Sequence, residues 1–132
     1  MFDENISTPL LPYRGFAYGA IRYTQNADSL AWVIFSAAYE IVSSRGIFLH
    51  PITKNVAEYS VIIELLTNSS FLGICHLVFR LDSKLVVSHL NRLYYVMNST
   101  ILHYVLRVHL LERFFNYINY VHIPRDQNRL AY

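Results

Sequence analysis

Two carboxylates stand out for where the sequence places them. Glu58 lies in Asn55-Val56-Ala57-Glu58-Tyr59, a stretch that opens a helical pattern, and Asp82 directly follows the apolar run 74–81. Carboxylates are hard oxygen donors, and a pair of them can hold a divalent cation that activates water or stabilises a leaving oxygen. The same positions also suit helix capping. Asn55-x-x-Glu58 has the form of a capping box, with Asn in place of Ser or Thr, and Asp82-Ser83 has the form of an N-cap. The two roles can coexist. The six His residues show no metal-ligand spacing, and His103 and His109 read as packing or surface residues. The lone Cys75 sits in Ile74-Cys75-His76-Leu77-Val78-Phe79 and reads as a buried structural thiol.

The elements that must position these groups follow from the pattern of apolar residues. Residues 1–11 are polar with Ser, Thr and Pro, and read as a loose segment before one domain over 12–132. Aromatic alternation predicts a strand over 12–19, turn chemistry covers 24–29, and 30–35 is a short β-forming run. A third strand spans 40–49, with Gly46 a candidate bulge. Helical spacing begins at Asn55, carries Val61, Ile62, Leu65 and Leu66, and ends over 67–70. The run 74–81 reads as a strand buried on both faces. A short helix over 83–90, a connector over 91–98 and a longer helix from Ser99 or Thr100 follow. That longer helix puts Leu102, Val105, Leu106, Leu110 and Phe114 on one stripe. A last strand covers 116–123 and Pro124 ends it. The order β-β-β-α-β-α-α-β implies a mixed five-stranded sheet covered by helices.

Composition narrows the class. The chain has 132 residues, of which 54% are hydrophobic and 15% charged, enough apolar material for a single core. From Arg80 onward seven basic residues face three acidic ones, a modest positive bias that suits a phosphate backbone and equally suits a solvated surface. One cysteine excludes an internal disulfide and gives no basis for a disulfide-linked partner. No apolar run reaches the ~18 residues of a membrane helix, and the acidic start Met1-Phe2-Asp3-Glu4 lacks the basic region of a signal peptide. These features point to a soluble intracellular protein without a membrane partner, with nucleus and cytoplasm left open.

Three segments carry a resemblance. Thr53-Lys54-Asn55-Val56-Ala57-Glu58-Tyr59 resembles the T-N-N-x-A-E-Y segment of type 1 ribonuclease H domains. Leu81-Asp82-Ser83-Lys84-Leu85-Val86-Val87 resembles their D-S-x-L-V-V strand end, and His122-Ile123-Pro124-Arg125-Asp126-Gln127-Asn128-Arg129-Leu130-Ala131 resembles their H-I-P-R-x-x-N-x-x-A-D tail. The likeness is greatest to retroelement-type domains, common in plant genomes. It implies a three-layer ribonuclease H-like α/β fold, here ending before the family's C-terminal helix. It also implies binding of an RNA–DNA hybrid and hydrolysis of its RNA strand. Family members use four carboxylates to hold two Mg²⁺ ions, with Mn²⁺ as a substitute, so that attacking and leaving oxygens are both stabilised across ~4 Å.

Carried over residue by residue, the resemblance makes Glu58 and Asp82 catalytic metal ligands. The first family carboxylate sits in a D-G-[AS] element, matched here by Phe16-Ala17-Tyr18-Gly19-Ala20, which puts Tyr18 in its place. The last falls on Tyr132. A second registration makes Asp3 the first carboxylate, but only two residues precede it, too few for a central strand. Thr53, Lys54, Asn55, Ser83 and Arg92 match positions that face nucleic acid, with Lys54 replacing an Asn. His122 falls in the tail motif as an orienting residue, and Tyr94-Tyr95 reads as core packing or a base-stacking pair. Tyr is neutral near pH 7 and cannot replace a carboxylate beside two divalent ions. The expectation is a ribonuclease H homologue with impaired hydrolysis. The rivals are an active endonuclease using Asp3, Glu58, Asp82 and Asp126, and an inactive nucleic-acid-binding or interaction module, or retroelement relic.

Overall fold

The computed structural model describes residues 11–19, 28–49, 54–92 and 95–124. Five strands and three helices follow the expected order: β1 (Tyr13–Gly19), β2 (Asp28–Phe35), β3 (Ile41–Leu49), α1 (Lys54–Phe71), β4 (His76–Leu81), α2 (Lys84–Leu90), α3 (Ser99–Glu112) and β5 (Tyr117–His122). They build one mixed sheet in the order β3-β2-β1-β4-β5. β1 to β3 form an antiparallel meander, while β4 lies parallel to both β1 and β5. Short links can join antiparallel neighbours, whereas the parallel pairs need the helical crossovers that α1 and α2–α3 supply. Except for Leu11, the expected loose segment lies outside the described residues.

The helices cover one face of the sheet. Its core joins Trp32, Ile34, Leu77 and Phe79 to Tyr59, Ile62, Leu65 and Leu66 of α1, all nearly or fully buried. Gly15 of β1 faces α1, where a Cβ would stand 3.4 Å from both δ-methyls of Leu65, about ordinary contact distance. On the opposite face Phe16 and Val33 are also buried. There the Arg80 guanidinium lies 5.4 Å from the Phe16 ring centroid, and Arg14 lies 4.1 Å from that of Tyr39 while donating to the Ala37 carbonyl at 2.7 Å.

Several details depart from the sequence reading. α1 begins at Lys54, so Asn55 lies inside its first turn and cannot be the N-cap of a capping box. Glu58 is therefore the fifth helical residue rather than a first-turn one. α1 also runs on to Phe71 through the polar stretch 67–70. Thr67 closes its hydroxyl on the Ile63 carbonyl at 2.7 Å, which satisfies it without leaving the helix. β2 starts at Asp28, inside the segment read as a turn. The irregularity between β2 and β3 lies where Ile34 pairs with Ser43 and Phe35 with Ile41, which leaves Val42 as the extra residue. Gly46 sits in regular register with Ala31, so it is not the bulge. β4 buries alternate residues rather than both faces.

The largest departure concerns α3. Its core residues are Ile101, Val105 and Val108, while Leu102, Leu106, Leu110 and Phe114 are exposed. The helix carries two apolar arcs, Ile101-Val105-Val108 at i, i+4, i+7 and Leu102-Leu106-Leu110-Phe114 at successive i, i+4 steps. The arc containing the slim β-branched residues faces α1, the helix with which α3 makes its main contact. Tyr95 is 94% exposed, so it is no part of a core, while Tyr94 lies outside the described residues.

Candidate active site

The strand register brings one expected position beside another. Ala17 of β1 pairs with Leu81 of β4 and the two strands run parallel, so Tyr18 and Asp82 are the next residues at the same end of the sheet. β1 continues to Gly19 and β4 ends at Leu81. Tyr18 thus occupies the central strand at the point where its neighbour yields Asp82. In α/β sheets this carboxyl end of the strands is where ligands gather.

α1 delivers Glu58 to the same end. Asn68 Oδ1 accepts from Ser43 Oγ at 3.1 Å, and Ser43 stands in the row containing Ile34 and Gly15. One turn earlier, Glu64 Oε1 accepts from Trp32 Nε1 at 3.1 Å and lies 3.3 Å from Arg45 Nη1, in the row of Ala17. Stepping back along α1 therefore moves toward the C-terminal end of β1. A further six residues, about 9 Å of helix, carry the chain to Glu58. Each carboxylate shields one oxygen from solvent, Oε1 of Glu58 and Oδ2 of Asp82.

Local structure fixes both carriers. Ser83 caps α2, its Oγ accepting from the Val86 amide at 3.3 Å, so the cap is the residue after Asp82 rather than Asp82 itself. Behind Glu58, the hydroxyl of Tyr59 lies 2.9 Å from Nδ1 of His89 near the end of α2. Tyr59 is fully buried, and burial together with the adjacent Glu58 charge pushes its phenol above the usual range. Burial also lowers the His89 imidazole. The phenol and Nδ1 of His89 thus share one hydrogen bond between the two helices. Sequence reading singled out neither partner. Only the A-E-Y spacing, with Tyr59 one position past Glu58, hinted at it.

Other expected residues divide sharply. Lys54 and Asn55 lie in the first turn of α1, at the same end of the sheet as Asp82. Arg92 is exposed and adopts a left-handed backbone (φ 60°) just past α2, with its guanidinium 3.9 Å from Glu112. Glu112 also accepts from Tyr120 at 2.6 Å and bonds Nδ1 of His109 at 3.0 Å. His122 is exposed on β5. Asp3, Thr53, Asp126 and Tyr132 lie outside the described residues. β1 carries Tyr18 one residue after Ala17, the partner of Leu81.

The donor set was weighed against the metal ions that the sequence resemblance implies. Among the described residues no group of three His, Cys, Asp or Glu is arranged to hold a metal ion. Mg²⁺ often keeps most of its waters and binds through one or two carboxylates, which is the donor chemistry that Glu58 and Asp82 offer. Two adjacent dications need more negative charge than the described residues supply.

Comparison with known proteins accords with this geometry. Residues 17–132 match the profile of the reverse transcriptase-like family. Among solved structures, ribonuclease H1 of the halophilic archaeon Halobacterium salinarum superposes with a TM-score of 0.79 at 26% identity, covering 89% of each chain. The N-terminal ribonuclease H domain of a Mycobacterium tuberculosis protein, solved as a fusion with maltose binding protein, gives 0.80 at 26% identity over 89% of this chain and 85% of that one. LC11 ribonuclease H1, solved in complex with an RNA/DNA hybrid, shares the fold at a TM-score of 0.78 and 21% identity, covering 89% of this chain and 88% of that one. No curated protein sequence matches the chain. Among the described residues no helix is long and apolar enough to cross a membrane.

Proposed function

We propose that this chain, which belongs to the reverse transcriptase-like family and is a ribonuclease H type 1 domain, binds RNA–DNA hybrid and cleaves its RNA strand poorly or not at all. Binding is supported by the fold shared with a ribonuclease H1 solved on such a hybrid. It is also supported by the placement of Lys54 and Asn55 in the first turn of α1, just before Glu58 in the same helix. Thr53, Lys54, Asn55, Ser83 and Arg92 are the proposed contacts to the hybrid, through phosphate and the 2′-hydroxyls that distinguish RNA.

The observation that carries the impairment is Tyr18, which stands on the central strand beside Asp82. Hydrolysis of a phosphodiester requires charge stabilisation at both the entering and the leaving oxygen, which two metal ions supply when bound. Glu58 and Asp82 would hold one Mg²⁺, or Mn²⁺ in its place. A neutral phenol at position 18 adds no charge to attract a second ion. Glu58 and Asp82 then retain a placing role, ordering water and an ion against the backbone of the bound strand.

The test pairs affinity with turnover. Fluorescence anisotropy with a labelled hybrid should give saturable, salt-sensitive binding, while a cleavage assay in Mg²⁺ or Mn²⁺ shows little product. Robust turnover abolished by Glu58→Gln would overturn the impaired-site reading. Absence of hybrid binding would overturn the nucleic-acid reading and leave an interaction module or a relic.

A further inference from the structure

We propose that the outer face of α3, with the groove beside it, docks an acidic amphipathic helix of a partner protein. Leu102, Leu106, Leu110 and Phe114 rise along that face at successive i, i+4 positions and are between 39% and 66% exposed. A continuous apolar ridge on a folded surface marks an interaction site more often than scattered apolar residues do. The ridge was read from sequence as core, and nothing in the site at the end of β1 and β4 uses it.

The charges on this face have one sign. Arg107, Arg113 and His103 are exposed around the ridge, and no exposed residue from Ser99 to Phe114 is acidic. The only carboxylate of α3, Glu112, is turned inward to Tyr120 and His109. A helix laid along the ridge would thus meet apolar side chains flanked by cations, which selects acidic flanks on the incoming helix. A second copy of this chain would set Arg107 and Arg113 against the same cations, which disfavours self-association.

The groove favours a shaped protein partner over a lipid surface. It has a volume of about 430 Å³ and is lined by Leu102 and Leu106 of the ridge together with Val96 and Tyr95. Such a recess takes an inserted aromatic or leucine anchor, the arrangement typical of energetic centres in protein interfaces. Arg92, which also lines it, offers donors to a carboxylate on the incoming helix. The ridge residues themselves are not among the proposed hybrid contacts, although Arg92 belongs to both proposals.

The test uses the whole chain and a synthetic helical peptide of about 18 residues with Leu and Phe on one face and Glu on both flanks. Controls are a scrambled peptide and one with Lys in place of Glu. Isothermal titration calorimetry should show the acidic peptide binding at least tenfold tighter than either control, weakening with salt. Leu106→Glu and Leu110→Glu, both at exposed positions, should each lose at least tenfold in affinity with unchanged melting temperature and hybrid binding. The proposal fails if the acidic peptide does not bind, if the Lys peptide binds equally, or if both variants keep full affinity. It also fails if this face instead drives dimerisation in sedimentation or binds phosphatidylserine vesicles while rejecting the peptide.

Discussion

The hydroxyl of Tyr59 and Nδ1 of His89 are 2.9 Å apart, and this bond ties the turn of α1 that carries Glu58 to the end of α2, the helix that follows Asp82. A rigid cross-link behind two carboxylates limits how far they can drift apart, which matters for any ion held between them. Replacing Tyr59 by Phe removes this hydrogen bond and leaves Nδ1 of the half-buried His89 without its Tyr59 partner. Chemical denaturation of Tyr59→Phe should show a loss of about 1–2 kcal/mol.

The same pair sets a pH dependence. Burial depresses the folded-state pKa of His89 below its ordinary 6.5, so the unfolded chain takes up a proton first as pH falls. Stability from this group is fully present above about pH 6.5 and declines as pH drops through the range between the unfolded and folded values. Melting temperatures measured from about pH 8 to about pH 5 should fall, and His89→Gln should flatten part of that slope. A His89→Gln profile as steep as that of the parent would place the dependence elsewhere.

Restoring charge at the strand end should restore metal affinity. Tyr18→Asp adds a carboxylate beside Asp82, and Mg²⁺ affinity measured by calorimetry should rise by about tenfold or more, equivalent to ~1.4 kcal/mol. Adding Glu58→Gln to that variant should reverse the gain. Hybrid cleavage by Tyr18→Asp above the parent level would identify the phenol as the block to turnover.

Arg92 offers a test in which stability and binding move in opposite directions. Its left-handed backbone sits just past α2, where glycine is ordinarily preferred. Its contact with Glu112 is long and solvent-exposed and contributes little. Arg92→Gly should therefore stabilise the domain by about 0.5–1 kcal/mol in urea denaturation. Hybrid affinity should fall at the same time and depend less on salt, because one cation is gone.

Ser83 separates a capping role from a binding one. Ser83→Ala removes the acceptor for the Val86 amide and should cost about 1 kcal/mol in thermal or chemical unfolding. Ser83→Asp supplies another acceptor at the helix start and should recover most of it. If hybrid affinity tracks stability in both variants, Ser83 acts through the helix rather than through direct contact.

How much of this was legible beforehand depended on whether local pattern or tertiary choice decided each element. The strand and helix order could be read because apolar alternation at 13–19 and helical spacing at 61–66 admit one period each. The sheet register, which places Tyr18 beside Asp82, was visible only through the spacing of the motifs. α3 misled because two apolar arcs at helical spacing compete, and only packing against α1 decides between Val105 and Val108 on one side and Leu106 and Leu110 on the other. The start of α1 misled because Asn55 resembles a cap whether or not a turn precedes it. The Tyr59–His89 bond joins residues 30 positions apart, and nothing in either local stretch announces the other.

The parallel pairing of β1 with β4 also bears on how the chain reaches this state. β1, β2 and β3 are linked by short connections and can zip locally, but β1 joins β4 only when residues 13 and 77 come into register. Closing so long a loop costs entropy before any pairing repays it, which makes that step slow. The expected outcome is that the end of the sheet bearing Tyr18 and Asp82 forms after the local meander and α1. Substitutions in the β4 strand, such as Leu77→Ala, should slow refolding, whereas Ser43→Ala on β3 should act mainly on unfolding.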